Sequence, residues 1–208
     1  MENPLQGKHI VFLGSSVTYG SASGGVSFAD FIAARNGCTV TKEAVSGTTL
    51  VDNGPDSYIS RMKKLDKEIP VDLFVCQLST NDASQGKPMG KIGDLPAADT
   101  KTVAGAIAYI SGYAANTWGC PVAFYTNPRY RSLRYGRMVS LLHEISRERG
   151  FAVIDMWNDK SFGAITAQER MAYMADAIHP TREGYLQWWT PYMENALSGI
   201  IRAEGGKQ

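Results

Sequence analysis

Paired cysteines, an excess charge of one sign and long hydrophobic runs are all missing from this 208-residue chain. Each absence removes a class of function. The cysteines are an odd three, Cys38, Cys76 and Cys120, far apart and without a Cys-x-x-Cys pair. Cys76 and Cys120 lie in or beside apolar runs and read as small core residues, which points to a reducing, cytoplasmic compartment. Lys and Arg number 21 against 20 Asp and Glu, a net charge of +1 with no like-charge run. Nothing electrostatic suggests nucleic acid or an anionic membrane as partner. No run has transmembrane length, and the N-terminal "MENPLQGKHIVFLG" has no basic stretch followed by a long apolar one, so neither a membrane span nor a secretion signal is expected. Only three histidines occur, with no His-x-x-x-His pair, which disfavours a metal hydrolase, and no cofactor is expected.

What is present is a regular alternation. Apolar runs readable as strands lie at 9–14, 38–45, 71–79, 121–127 and 151–157, several of them nearly continuous, as in strands buried on both faces. Helical stretches lie between them at about 27–36, 56–68, 100–117 and 132–149. Ser27-x-x-Asp30 and Thr166-x-x-Glu169 have the spacing of capping boxes. From Thr181 onward, Tyr185, Trp188, Trp189, Tyr192, Met193, Leu197 and Ile200 form a core-facing helical stripe. Pro191 interrupts it, with either a kink or a new helix capped by Thr190. The alternation predicts one α/β domain over residues 1–208, with a parallel sheet covered by helices on both faces. The stretch 81–99, rich in Gly, Pro and Lys, is the longest irregular loop.

Ligands of such sheets bind beyond the carboxyl ends of the strands. Strand one ends in Gly14-Ser15-Ser16, strand two leads to Ser46-Gly47-Thr48-Thr49, and strand three ends in Ser79-Thr80-Asn81-Asp82. Near the C-terminus comes Asp176-Ala177-Ile178-His179-Pro180. Each fragment alone is ordinary turn or cap chemistry. Together they are the parts for acyl transfer: a hydroxyl on an exposed turn, a base, a carboxylate to orient it, and donors for an oxyanion. Ser16 supplies the hydroxyl. His179 is the candidate base, because His9 begins strand one at the wrong end of the sheet and His143 is mid-helix. Asp176, three residues before His179, can reach Nδ1 and leave Nε2 facing the serine. The N–H groups of Ser16 and Gly47 and the Asn81 amide can converge on one oxygen.

"GSSVTYG", the Ser46-Gly47 pair, "STND" and "DAIHPTREGY" resemble the four sequence blocks of the SGNH hydrolases, also called GDSL esterases and lipases. The resemblance brackets residues 10 to 190. It implies a flavodoxin-like three-layer α/β/α sandwich with about five parallel strands. It also implies a Ser16–His179–Asp176 triad with Gly47 and Asn81 as oxyanion donors. Three departures stand out: Ser15 replaces the family's Asp, Ser79 replaces a Gly, and Lys42 and Ala44 replace an Asn and a Gly.

The expected function is hydrolysis of short acyl esters of carbohydrate or other polar alcohols. The loops supporting this are the small, polar "GSASGG" at 20–25 and the "NPRYRSLRYG" run at 127–136. The second brings Arg129, Arg131, Arg134, Tyr130 and Tyr135 toward the site rim as substrate-binding candidates. Two other functions share parts of this pattern. One is an acyltransferase on the same fold. The other is a non-catalytic module whose Gly14–Gly20 loop holds a phosphate or flavin phosphate.

Overall fold

The computed structural model describes residues 3–92 and 99–206. Residues 93–98 of the irregular 81–99 loop lie outside that description.

Five strands, β1 (His9–Gly14), β2 (Thr39–Ala44), β3 (Leu73–Gln77), β4 (Val122–Tyr125) and β5 (Ala152–Ile154), form one sheet in the order β2-β1-β3-β4-β5. Every pairing is parallel. Side chains alternate between two cores. Val11, Leu13, Phe74, Cys76, Val122 and Phe124 face one cluster. Ile10, Phe12, Leu73, Val75, Ala123 and Tyr125 face the other. Both faces are dry, which is why β1, β3 and β4 read as continuous apolar runs. The edge strand β2, "TVTKEA", has no fully buried residue and reads as mixed.

The helices are α1 (Ser16–Tyr19), α2 (Phe28–Asn36), α3 (Tyr58–Met62), α4 (Thr80–Ser84), α5 (Val103–Trp118), α6 (Leu133–Arg149), α7 (Ala167–Tyr173), α8 (Arg182–Gly184) and α9 (Thr190–Gly205). Both predicted capping boxes are formed, Ser27 with Asp30 on α2 and Thr166 with Glu169 on α7. The strands are shorter than the apolar runs. Leu78, Ser79, Thr126 and Asn127 are buried but leave the ladder to build turns at the carboxyl edge. Pro191 lies in the first turn of a new helical segment, α9, as one expectation had it, but Thr190 does not cap that segment. A π-helical turn, Tyr185–Trp189, joins α8 to α9, and Thr190 N–H bonds back to Tyr185 O. The Thr190 hydroxyl donates to that same carbonyl at 2.7 Å rather than capping a new helix. The wider turn makes room for a ring that would clash in a regular helix.

The aromatic stripe is core. Trp189 stacks on Phe28 at 5.7 Å and Trp188 on Phe162 at 4.4 Å. Connections from the sheet run in opposite directions on either side of β1 and β3, so a crevice opens at their carboxyl ends.

Candidate active site

Gly14 ends β1 where a side chain is impossible. A Cβ there would lie 1.7 Å from Thr18 Oγ1 and 2.9 Å from Gln77 Oε1. This close approach folds the chain sharply into α1, with Ser16 as its first residue and only 7% exposed. The amide oxygen of Gln77, at the end of β3, gathers the turn. It accepts from Ser15 N (2.9 Å), Ser15 Oγ (3.3 Å) and Thr18 Oγ1 (2.9 Å). From the other side the buried Arg61 donates to Gly14 O at 2.7 Å, and also to Glu43 and Thr48. Tyr185 OH donates to Val17 O at 2.7 Å. Its neighbour Gly184 is required by packing, since a Cβ would sit 2.1 Å from Tyr173 O.

Asp176 and His179 sit on a small hairpin closed by a bridge between Met174 and Pro180 and by Ala175 N–H donating to His179 O at 2.9 Å. The Asp176 carboxylate accepts the backbone N–H groups of Ile178 (2.7 Å) and His179 (2.8 Å), and Oδ2 stands 2.8 Å from His179 Nδ1. His179 Nε2 stands 2.8 Å from Ser16 Oγ, joining residues 163 positions apart. Partial burial pushes the Asp176 carboxyl up. The hydrogen bonds from the His179 ring and the two N–H groups outweigh it and hold the carboxyl below its usual range.

The oxyanion candidates occupy neighbouring turns. Ser16 N–H and Gly47 N–H have no hydrogen-bond partner among the described residues. Asn81 Nδ2 donates one hydrogen to Thr48 O at 2.9 Å, which leaves the second amide hydrogen for a ligand. The second and third blocks are pinned together by the buried Asp82, which accepts Leu50 N (2.8 Å) and Val51 N (3.1 Å). Burial raises its carboxyl pKa against the pull of these bonds.

Ser15, Ser79 and Lys42, where the chain departs from the family pattern, each have a local role, and nothing in the structure explains Ala44. Ser15 is fully buried and its hydroxyl donates to the Gln77 amide oxygen at 3.3 Å. Ser79 caps α4 by accepting from Asn81 N and Asp82 N. Lys42 reaches Asp30 Oδ2 at 2.5 Å and Gly25 O at 2.8 Å, fastening the 20–25 loop. Gln77, Arg61 and Asn127 were not anticipated. Gln77 is the one polar residue of β3 and Asn127 follows β4, so their positions carried a signal. Their partners did not.

The rim divides. Arg129 is exposed, lies 5.5 Å over the Trp157 ring and reaches Asn158 Oδ1 at 3.5 Å. Tyr130 is half-buried beside it. Arg131 is exposed, and Arg134 is turned to Lys87 O. Tyr135 corrects the expectation of a substrate contact, because it is fully buried. As the third residue of α6 it points at the sheet, donating to Leu78 O at 3.0 Å and accepting Asn127 N at 2.9 Å. Asn127 Nδ2 in turn donates to Ile178 O at 3.2 Å, so Tyr135 supports the base hairpin from within.

Residues 12–186 match the GDSL-like Lipase/Acylhydrolase family. The chain has no match among curated proteins. Solved structures share its fold over nearly their whole lengths. A Lactobacillus plantarum protein is 18% identical with a TM-score of 0.76, covering 95% of this chain and 98% of its own. A variant of a Geobacillus acetyl-xylooligosaccharide esterase is 15% identical with a TM-score of 0.63, covering 96% of each.

Proposed function

The chain belongs to the GDSL-like lipase/acylhydrolase family and is a carboxylic ester hydrolase, and from that premise we propose that it cleaves short-acyl esters of polar alcohols through a Ser16–His179–Asp176 triad. The observation that carries the reading is the unbroken relay at 2.8 Å from Ser16 Oγ to His179 Nε2 and at 2.8 Å from His179 Nδ1 to Asp176 Oδ2.

In this mechanism Ser16 Oγ attacks the acyl carbon while its proton passes to His179 Nε2. Asp176 holds the ring in the tautomer that leaves Nε2 free to accept. The tetrahedral oxyanion lies against Ser16 N–H, Gly47 N–H and the second Asn81 amide hydrogen. His179 then gives its proton to the departing alcohol oxygen, the C–O bond breaks, and an acyl-Ser16 ester remains. Water attacks that ester with His179 again as base, releasing the acid and restoring the serine. An acyltransferase would use the same steps with a second alcohol in place of water.

The substrate reading rests on the rim. The 20–25 loop is small and polar, and Arg129, Tyr130, Trp157 and Asn158 offer guanidinium, aromatic and amide groups beside the exposed Leu133. A neighbour in fold is an acetyl-xylooligosaccharide esterase, so the scaffold is compatible with such chemistry. Three unpaired, buried cysteines agree with a reducing, cytoplasmic location. The test has two parts. A fluorophosphonate probe should label Ser16 and fail on Ser16→Ala. Across p-nitrophenyl acetate, butyrate, octanoate and palmitate, kcat/KM should be greatest at acetate, with acetate released from acetylated sugars. A maximum at octanoate with sugars untouched would refute the polar-alcohol substrate and leave the mechanism standing. Product analysis with added alcohol separates hydrolysis from transfer.

A further inference from the structure

A cavity of about 560 Å³ opens directly beside the triad carboxylate. Asp176 and Ala177 form one wall, Arg129 and Arg131 from the loop after β4 form another, and Arg170 and Met171 of α7 close it. A second recess of about 500 Å³ shares Arg129 and Arg170 and adds Lys160, Asn158 and Asp159. Three guanidinium groups from two separate segments therefore border one hollow at the catalytic edge.

Their charge is not met by a direct ion pair, although the ionised carboxylates of Asp176 and Asp159 line the same two hollows. Among the described residues, Arg129, Arg131 and Arg170 form no ion pair with a carboxylate. The two acids nearby are already engaged. Asp176 is bound to His179 and two N–H groups. Asp159 accepts from Ser161, Phe162 N and Tyr192 OH. Met171, 77% exposed, and the half-buried Met174 give the hollow an apolar floor beside the cations.

We propose that this hollow is an anion-binding subsite that takes a carboxylate or phosphate carried by the alcohol portion of the ester. The proposal rests on the ester-hydrolase reading above and narrows its polar alcohol to an anionic one. Guanidinium forks match both oxyanions in shape and bind them through paired charge-assisted hydrogen bonds. The alcohol oxygen that leaves the acyl carbon must meet His179 Nε2 to collect its proton, and the hairpin that carries His179 also forms the wall of the subsite. An anion held there keeps the leaving oxygen near Nε2.

The experiment compares acetylated glucose, acetylated glucuronate and acetylated glucose 6-phosphate. The wild type should favour at least one anionic ester over the neutral one by about tenfold in kcat/KM, through KM, and the preference should shrink as salt screens the charges. In the Arg129→Gln/Arg170→Gln double variant the anionic-to-neutral ratio should fall to about one. Which anionic ester leads distinguishes carboxylate from phosphate. Calorimetry on Ser16→Ala with glucuronate and glucose 6-phosphate reads binding without turnover, and the two Arg substitutions should abolish the heat. Arg-dependent binding with no turnover of any ester would keep the subsite and refute the hydrolase reading. Turnover of the neutral ester with no anionic preference, or a preference that survives both substitutions, would overturn the subsite and leave the hydrolase reading intact.

Discussion

The two halves of the proposed triad are held in opposite ways. The serine turn is embedded: Ser15 and Thr18 are fully buried, Ser16 nearly so, and Gln77, Arg61 and Tyr185 grip the backbone from three elements. The base hairpin is perched outside. The side chain of Asp176 is 57% exposed and that of His179 26%, and the preceding helix α7 buries no residue. Among the described residues it meets the interior through Ser16 Oγ on His179 Nε2, the Asn127 amide on Ile178 O and the partly buried Met174 and Ile178. The nucleophile is thus part of the core's architecture. The base is an attachment whose position depends on its own short-range bonds. Substitutions that disturb the packing of the first region, rather than remove the Ser16 hydroxyl itself, should cost stability, and those in the second should cost turnover.

Four measurements bear on this contrast, the largest effect first. Ser16→Ala removes only a hydroxyl bonded to His179, so it should lose roughly 10⁴-fold in activity, about 5.5 kcal/mol of transition-state stabilisation, with the melting temperature almost unchanged. A large drop in melting temperature would mean that the hydroxyl also supports the fold. Gly14→Ala should do the reverse. Its Cβ would collide with Thr18 and Gln77, and urea denaturation should show a loss of about 3 kcal/mol. A neutral result would show that the embedded turn yields easily. Asn127→Ala should lower kcat about tenfold, because the hairpin loses an interior tie, with KM nearly constant. Equal loss of stability and turnover would erase the distinction between the two regions.

The smallest effect is a pH dependence. The Asp176 carboxyl is held below its ordinary value by hydrogen bonds from the His179 ring and two backbone N–H groups, so these bonds add stability above about pH 4, the unfolded value. That contribution is lost as pH falls through the lower folded value. The group is exposed, so solvent screens the gain. Wild type and Asp176→Asn should therefore differ only slightly in melting temperature at pH 7, and the difference should shrink as pH falls below about 4. A large gap at pH 7 would make the hairpin a structural element after all.

The same contrast governs what could be read from the chain. The strand runs and both capping boxes are local patterns and appear in the fold, the strands shorter than their runs, and Ser16, His179 and Asp176 lie within hydrogen-bond distance in series. Gln77, Arg61 and Asn127 act through partners 47 to 62 positions away, and no spacing rule announces them. Tyr135 was misjudged for a related reason. The Arg/Tyr run looks uniformly solvated in sequence, but α6 starts within it and turns one tyrosine inward. Ser79 and Lys42 look like deviations in an alignment of motifs, and only their contacts show them to be a cap and a loop fastener.

The π turn at Tyr185–Trp189 makes the site depend on counting as well as on chemistry. A helix advances about 100° per residue, so one residue accommodated in a wide turn offsets everything before it relative to everything after. That offset lets Tyr185 reach Val17 O while Trp189, Met193 and Leu197 stay in the core. Loss of a single codon at Gln187 would remove no catalytic group and no buried side chain. It would still rotate the Tyr185 hydroxyl away from the strand exit it anchors, so in this helix a one-residue deletion reaches further than most substitutions.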